Sequence, residues 1–270
     1  AGNPLHIYSA VWSRASGWST PTAVFSQNGG YFMRFDSMAR GNTVDMVLSH
    51  AYDPLDRDRS FVIHQQWSQA TGWSAAEQLM VENSGILAFP SIWVDTRRIR
   101  HVLYNFANFT EMRWNLYYTQ KNGGVWTERT QLAPKSYQQF LHGLATMNIT
   151  ADDNGIVHTF ARADVSGPDP VFRLSRFSQK WTDIIPFQST FDIEDIANSP
   201  DGSTHMVGFK VEGVNYDLYH TSYFYPDTDS DGIPNDGEYF NGTNYLFPDT
   251  DFDGLTDYEE SILFGTNPTR

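Results

Sequence analysis

This sequence predicts an all-β fold that ends in a short acidic segment, on three observations. Four tryptophans, Trp18, Trp73, Trp126 and Trp181, recur at spacings of 55, 53 and 55 residues. No stretch before Tyr225 keeps a period of 3.6 residues over several turns, so amphipathic helices are not expected there. Turn signals rich in Gly, Asn, Asp and Pro instead divide the chain into short, strand-like runs.

Each period contains four predicted strands. In the unit 87–133 we expect strands at residues 89–95, 100–106, 114–119 and 126–132. The following unit is predicted to repeat them at 145–151, 157–162, 171–177 and 181–187. Four strands in about 50 residues are typical of one blade of a β-propeller. The four periodic tryptophans are then expected in equivalent, buried positions between neighbouring blades.

The two ends of the repeat region do not match a simple ring. The chain opens with two strands, at 5–12 and 18–25, and the last unit offers three, at 193–197, 205–209 and 217–224. About five blade units are visible in residues 1–224. We therefore expect either an unusual ring closure or a propeller that is incomplete at its N-terminus, and the pattern favours a fragment trimmed at both ends.

The acidic segment carries one oxygen-rich loop pattern twice. Residues 225–270 hold eight Asp, three Glu and one Arg, and so most of the net charge of −14. Oxygen-bearing side chains stand at loop positions 1, 3, 5, 9 and 12, with Gly at position 6, as in calcium loops. The predicted ligands are Asp227, Asp229, Asp231, Asn235 and Glu238 with the carbonyl of Ile233, and Asp249, Asp251, Asp253, Asp257 and Glu260 with the carbonyl of Leu255. We predict two Ca²⁺ ions, and a second domain at 225–270 that follows the propeller at 1–224.

Composition excludes several classes of function. The chain has no cysteine, which rules out disulfides and thiolate chemistry. No apolar run is long enough to span a membrane, and no basic stripe offsets phosphate, so neither a membrane span nor a nucleic-acid partner is expected. Calcium loops of this kind fill where calcium is millimolar, which predicts an extracellular or cell-surface location. The chain begins at Ala1, which is consistent with removal of a leader.

Residues that break the repeat are the candidates for chemistry. Arg34 and Asp36 fall in the first complete unit, His142 in a later one, and Glu194 and Asp195 in the last. All five lie on the predicted first strand of a blade or at its start, and this strand lines the central channel. Carboxylates with Arg and His would suit glycosidic chemistry or uronate recognition. Ion pairing at a channel mouth is the alternative.

Histidines and aromatics supply weaker candidates. His101, His158 and His205 follow the repeat, which favours a packing role over metal binding or base catalysis. Aromatic residues outside the strict period are better candidates for stacking on sugars than the periodic tryptophans. These residues are Trp93, Trp114, Tyr104, Tyr117 and Tyr118.

Two resemblances follow from these motifs. The Asp-rich loops and the Gly265-Thr-Asn-Pro268 sequence resemble the thrombospondin type 3 calcium repeats of secreted bacterial proteins. That resemblance implies calcium-stiffened spacers. Residues 1–224 resemble secreted bacterial β-propellers of the sialidase-like and lectin-like class, although the Asp-box of sialidases is absent. This second resemblance implies a carbohydrate-related propeller.

Three functions stay open at this point. The chain is predicted to be a surface module that binds a glycan or another surface protein. A polysaccharide lyase or glycoside hydrolase with a site in the central channel is the second possibility, and a structural subunit of a surface layer or filament is the third. The sequence does not decide between an enzyme and a binding module, and it does not determine the oligomeric state.

Overall fold

The computed structural model describes most of the chain. The described residues are 4–28, 31–51, 60–82, 85–108, 113–132, 144–152, 155–163, 171–177, 180–182, 185–187, 191–199, 203–212 and 215–270. They form two compact units, of which the first combines residues 1–92 with 102–141 and the second combines 93–101 with 142–270.

The strands up to residue 132 form four sheets. Their bounds are β1 Pro4–Ser9, β2 Trp12–Ser13, β3 Gly17–Trp18, β4 Thr22–Asn28, β5 Tyr31–Arg40, β6 Thr43–Ala51, β7 Ser60–Ser68, β8 Gly72–Trp73, β9 Glu77–Glu82, β10 Gly85–Val94, β11 Arg100–Asn108, β12 Arg113–Asn122, β13 Val125–Trp126 and β14 Thr130–Gln131. Strand β1 pairs with β4, and β2 with β3. The larger sheets have the orders β5-β6-β7-β8 and β10-β11-β12-β13, with β9 and β14 as further partners of β7 and β12.

The later strands repeat the same order. Their bounds are β15 Leu144–Ala151, β16 Val157–Ala163, β17 Val171–Phe177, β18 Lys180–Trp181, β19 Ile185–Phe187, β20 Asp192–Asn198, β21 Thr204–Glu212 and β22 Asn215–Tyr223. One sheet is ordered β15-β16-β17-β18, with β19 also on β17, and the last is ordered β20-β21-β22. The predicted repeat of antiparallel, sequentially connected strands is confirmed.

The outer strand of each repeat differs from the prediction, because it is broken into two short pieces. The residue after each periodic tryptophan donates its backbone N–H to the carbonyl of a residue seven or eight positions earlier, and its hydroxyl accepts the backbone N–H of that same residue. The backbone pairs are Ser19 to Val11, Ser74 to Gln66, Thr127 to Gln120 and Thr182 to Ser175, at 2.7–2.8 Å. These two reciprocal hydrogen bonds close a tight hairpin, and the outer strand begins again after it. It also confirms the alignment of the four repeats.

Each unit has its own apolar core. In the first, Val47, Val62, Ile92, Val102, Tyr104 and Phe106 form a buried cluster. In the second, Phe160, Phe191, Ile193, Ile196 and Met206 pack together. Many of these side chains come from strands that are buried along most of their described length, such as β6 and β11, so both faces of these strands are packed.

The periodic tryptophans are not equally buried, so this expectation was wrong. Trp73 packs beside Ile63 and Phe25 and donates its indole N–H to the Ser9 hydroxyl at 2.8 Å. Trp126 is likewise half-buried, whereas Trp18 is 72% exposed. Trp73 packs on the sheet that precedes its own, and no described sheet of this unit precedes that of Trp18. The ring of Trp18 therefore lacks the surface that covers its equivalents.

The acidic segment is compact and packs on the second unit's strands. Helix α1 spans Asn235–Asn241, and a short π-helix spans Glu259–Phe264. Ile233 and Tyr258 pack with Phe177 of β17. Gly237 lies so close that a Cβ there would come within 2.4 Å of the Phe177 ring. The packing is continuous across residue 225, and whether 1–224 and 225–270 unfold as separate domains stays a prediction.

Candidate metal centre

The first acidic loop gathers three carboxylates. One oxygen each from Asp227, Asp229 and Asp231 lies within 4.8 Å of the others. Asp227 shapes the loop by accepting the N–H groups of Ser230 at 2.8 Å and Gly232 at 3.0 Å. Gly232 has φ of 104°, in the left-handed region where a side chain is strained. The loop therefore holds its acidic groups together through its backbone.

The second loop repeats this geometry. Oxygens of Asp249, Asp251 and Asp253 again lie within 4.8 Å of one another. Asp249 accepts the N–H groups of Phe252 at 2.7 Å and Gly254 at 2.9 Å. Gly254 has φ of 100°, at the same loop position as Gly232. The two loops therefore share one backbone geometry, and whether they bind calcium stays a prediction.

The glutamates at position 12 are buried beside these loops. Glu238 is fully buried, and among the described residues no group hydrogen-bonds either of its carboxylate oxygens. Glu260 is 1% exposed; its Oε1 accepts a hydrogen bond from the Thr266 hydroxyl at 3.0 Å, and its Oε2 has no described partner. Buried carboxylate oxygens without donors are costly, which points to a cation as their partner.

The electrostatics of the first loop agree with this. Burial, followed by the charges of Asp229, Asp231, Asp257 and Asp227, raises the pKa of Glu238 to about 8. Burial, with the nearby Asp229 and Asp227, raises the pKa of Asp231 to about 6. Such upward shifts mean that the arrangement disfavours its own negative charge.

The second loop is subject to the same forces. Burial is the main cause that raises the pKa of both Asp257 and Glu260, and the charge of Asp251 adds to it in each case. A divalent cation would offset the repulsion in both loops.

The predicted ligands at loop positions 9 and 7 also contact other parts of the protein. Asn235 accepts the N–H of Thr228 at 2.9 Å, and Asp257 accepts the N–H of Thr250 at the same distance. Each side chain thus braces position 2 of its own loop. Ile233 buries its side chain in the core, and Leu255 is half-buried. That these four residues supply ligands stays a prediction.

The two loops are joined to each other. The backbone N–H of Tyr258, in the second loop, donates to Asp231 Oδ2 in the first at 3.0 Å. The charge of Asp257 also raises the pKa of Glu238, which places the second loop beside the first glutamate. The sequence pattern gave no signal of this link, because each loop was assessed alone. The donor set is entirely oxygen, which fits a hard cation such as Ca²⁺.

The candidate catalytic residues occur in two pairs. On β5, Asp36 accepts the backbone N–H of Ile92 at 2.9 Å and the hydroxyl of Ser91 at 3.1 Å, so it ties β5 to β10. Arg34 is exposed, with its guanidinium 5.0 Å from the centre of the Phe89 ring.

The second pair lies on β20. Glu194 and Asp195 are both exposed, and Asp195 accepts the N–H of Ile196 at 2.9 Å. His142 lies outside the described residues.

Strand register explains part of this pattern. Asp36, Asn148 and Asp195 occupy the same position in three different sheets, because each pairs with the residue at the same position of its neighbouring strand. Asn148 donates to the Glu194 carbonyl at 3.4 Å, much as Asp36 accepts from the backbone of β10. A residue at this position therefore links the first strand of one sheet to the first strand of the next. Asp36 follows the repeat, whereas the sequence analysis predicted that it breaks it.

The repeated histidines are internal braces. His101 is 1% exposed and lies 3.5 Å from Asp95, and burial lowers the pKa of its ring. His158 is fully buried, 3.7 Å from Asp152, and stacks on Tyr225. Both acids stand six residues before their histidine, so the spacing in the sequence is a signal of these pairs. His205 instead contacts His220 at 3.0 Å.

In the sheet of β5 to β8, the acid stands where the other repeats have their histidine, and the histidine comes from the next strand. Asp45 occupies the equivalent position on β6, and His64 on β7 supplies the imidazole, with 2.8 Å between Oδ1 and Nε2. A second acid, Glu77, approaches the other ring nitrogen of His64 at 3.1 Å. These acid and imidazole partners are side chains of the same repeat, whereas the packing interpretation expected each histidine to pack between blades and to hydrogen-bond a backbone group.

The predicted stacking aromatics are mostly covered. Tyr104 and Tyr118 are buried, and Tyr117 stacks on Tyr104 with ring centres 5.8 Å apart. Trp93 is half-buried, and the side chain of Trp114 lies outside the described residues. Their burial follows from their place on long central strands, whose two faces are both packed.

In the described part of the chain, no helix is long and apolar enough to cross a membrane.

Comparisons with known proteins identify the fold. No protein-family model matches the sequence, and no curated protein matches it. A Dyadobacter fermentans protein of unknown function is similar in structure, with a TM-score of 0.54, 9% identity, and coverage of 82% of this chain and 70% of that one. Penicillium chrysogenum α-L-arabinanase, solved with arabinobiose, has a TM-score of 0.54 and 13% identity, covering 82% and 67%. Trypanosoma rangeli sialidase, solved with sialic acid, has a TM-score of 0.52 and 12% identity, covering 82% and 41%. The chain has a β-propeller fold of the sialidase and arabinanase type.

Proposed function

We propose that this chain is an extracellular, calcium-binding β-propeller that binds a glycan or another surface protein. The observation that carries the calcium part is the buried Glu238, whose two carboxylate oxygens have no described hydrogen-bond donor and which lies beside three aspartates. Ca²⁺ takes six to eight oxygen ligands, so these carboxylates would bind it together. Two ions would complete the two loops.

Calcium would also set where the chain works. The loops offer mostly exposed or half-buried aspartates, and sites of this open kind in extracellular modules fill at millimolar calcium. That concentration is found outside the cytoplasm. The bound ions would stiffen residues 226–270 as a spacer next to the propeller, in line with the resemblance to thrombospondin type 3 repeats.

The glycan part is supported by the fold. Two structural neighbours were solved with sugars bound, arabinobiose in one and sialic acid in the other. A fold by itself does not assign a function, since function resides in a site. The neighbours nevertheless make saccharides the first ligands to test, with a protein on the cell surface as the alternative.

A glycoside hydrolase is the second candidate, because the arabinanase neighbour has the same fold. Such an enzyme needs two carboxyl groups about 5–10 Å apart, on either side of the bond. Glu194 and Asp195 are exposed on β20 and would be candidates for one of these groups. Asp36 is less suited, because its carboxylate already accepts hydrogen bonds from Ser91 and Ile92.

Two measurements test the proposal. Calorimetry on the whole chain should find two calcium ions, and Glu238→Gln should remove one of them. Asp217→Asn is the matched control, since Asp217 is exposed on β22. Absence of calcium uptake at millimolar concentration would overturn the calcium part. A glycan array together with a reducing-end assay then separates binding from hydrolysis, since only an enzyme releases new reducing ends.

A further inference from the structure

The first unit contains a cavity whose lining includes none of the candidate catalytic or metal-binding residues, although Tyr104, a predicted stacking aromatic, contributes to it. Its volume is about 490 Å³, which is within the range of roughly 300–1,000 Å³ typical of small-molecule sites. Leu79 and Met80 of β9 line one side, and Tyr104 of β11 contributes to the wall. Thr127, Glu128 and Arg129, between β13 and β14, line the rest with Thr119 of β12. Four of the seven lining residues lie on strands, and the other three form the short connection between two strands, so the shape of the cavity is largely fixed before binding.

The two sides of the cavity differ in chemistry. Leu79, Met80 and Tyr104 present carbon, sulfur and an aromatic ring. Thr127, Glu128 and Arg129 are exposed and polar. A ligand that fits must therefore have an apolar face and a hydroxyl-rich or otherwise polar edge. A sugar ring has both, since its C–H face packs on apolar and aromatic groups while its hydroxyls project sideways.

Arg129 is held in place before any ligand arrives. Its guanidinium lies 4.8 Å from the centre of the Tyr117 ring, and its Nη1 donates to a carboxylate oxygen of Glu82 and contacts the Met80 sulfur at 3.3 Å. Both of these contacts use Nη1, and a guanidinium has five N–H donors, so Nε and Nη2 can donate to a ligand. Arg129 thus supplies donors at the cavity and the Glu128 carboxylate supplies acceptors, which matches two neighbouring hydroxyls.

The local charge selects against acidic sugars. Glu82 already neutralises Arg129, and Glu128 adds a further negative charge at the cavity. A carboxylate on the ligand would meet repulsion from Glu128 with little net attraction from Arg129. A neutral sugar would not be repelled by Glu128, and its hydroxyls could hydrogen-bond both Glu128 and Arg129.

We infer that this cavity is a binding subsite for a neutral saccharide, an inference that rests on the proposed glycan-binding function. Arg129 and Glu128 act there as binding residues for adjacent hydroxyls, and Leu79 and Met80 pack against the C–H face. The site is separate from the candidate residues Arg34 and Asp36 on β5, and it requires no metal.

Ligand-observed NMR titration of the whole chain with arabinobiose, β-1,3-galactotriose and sialic acid tests the inference. We expect at least one of the neutral sugars to bind more tightly than sialic acid. Arg129→Ala should weaken that binding about tenfold, the loss of one charge-assisted hydrogen bond, and Glu128→Gln should weaken it less. Arg14→Ala is the control, because Arg14 is exposed in the same unit and outside the cavity. Thermal unfolding of each variant separates lost binding from lost folding.

The outcomes separate the inference from the proposed function. If a neutral sugar binds and Arg129→Ala and Glu128→Gln leave its affinity unchanged, the glycan-binding function stands and this cavity is not its site. Preference for sialic acid at a site that Arg129→Ala abolishes would overturn the neutral-sugar assignment. If neither these sugars nor any member of the glycan array binds, both the inference and the glycan part of the proposed function are wrong.

Discussion

Arg173 donates a hydrogen bond to Asp236, and this pair joins strand β17 to helix α1 at the first acidic loop. Arg173 is only 2% exposed, and its guanidinium also lies 5.2 Å from the ring centre of Tyr223 and 5.0 Å from that of Tyr225. Asp236 stands one residue after Asn235, a predicted calcium ligand. The pair therefore connects a propeller sheet directly to the acidic segment.

Asp236→Asn should destabilise the second unit. The change leaves the buried guanidinium of Arg173 without its carboxylate, and breaking a buried ion pair in this way costs about 3 kcal/mol or more. Urea unfolding in millimolar calcium measures the loss, with Asp217→Asn as the exposed control. A loss no greater than that of the control would show that Asp236 contributes nothing to the packing.

Removal of calcium should loosen both the acidic segment and its contact with β17. Without an ion, the carboxylates of each loop repel one another, and Ile233 packs on Phe177 only while the first loop keeps its shape. Hydrogen exchange with and without chelator measures this. We expect protection to fall in residues 225–270 and in Val171–Phe177, while β6 and β7 keep theirs.

Two outcomes of the exchange experiment carry different conclusions. Loss of protection in 225–270 alone would mean that the segment is a separate domain, as the sequence predicted. Unchanged protection in 225–270 would contradict the calcium-dependent fold.

The periodic tryptophans should differ in their effect on stability. Trp126 is half-buried, packs on the cluster of Val47 and Val62, and donates its indole N–H to Glu77 at 3.0 Å. We expect Trp126→Ala to cost about 3 kcal/mol, the lower end for truncation of a large aromatic. Trp18→Ala should cost less than about 0.5 kcal/mol, because Trp18 is 72% exposed. Equal losses in chemical unfolding would mean that Trp18 is covered in solution.

Stability should fall at acid pH through Glu77. Burial alone raises the pKa of this carboxyl, but hydrogen bonds from Lys121, Trp126 and His64 outweigh it and lower the pKa to about 2. A carboxyl whose pKa is lower in the folded state stabilises the fold above its unfolded value, near 4.5, and loses this contribution as the pH falls toward 2.

The pH effect is measured against a variant. Wild type and Glu77→Gln should differ in unfolding free energy at neutral pH, and the difference should shrink as the pH falls from about 4.5 to about 2. Glu194→Gln, at an exposed glutamate, controls for the general effect of removing one charge. A difference that stays constant with pH would exclude Glu77 as the cause.

The sequence alone determined the repeat and the two acidic loops, because both depend on local chemistry. The residues around each tryptophan carry the hairpin that repeats every 50-odd residues, with a Ser or Thr positioned to hydrogen-bond back to the preceding segment. The acidic residues of each loop lie within twelve residues of one another, so their spacing suffices to bring them together.

Contacts between distant residues were decided only by the tertiary structure. The exposure of Trp18 depends on which sheet lies beside it, and nothing in its own segment differs from that of Trp73. The Arg173–Asp236 pair joins residues 63 positions apart, and the cavity at Arg129 needs Met80, 49 positions earlier. Burial and pairing at such separations follow from how whole sheets stack, which local spacing does not encode.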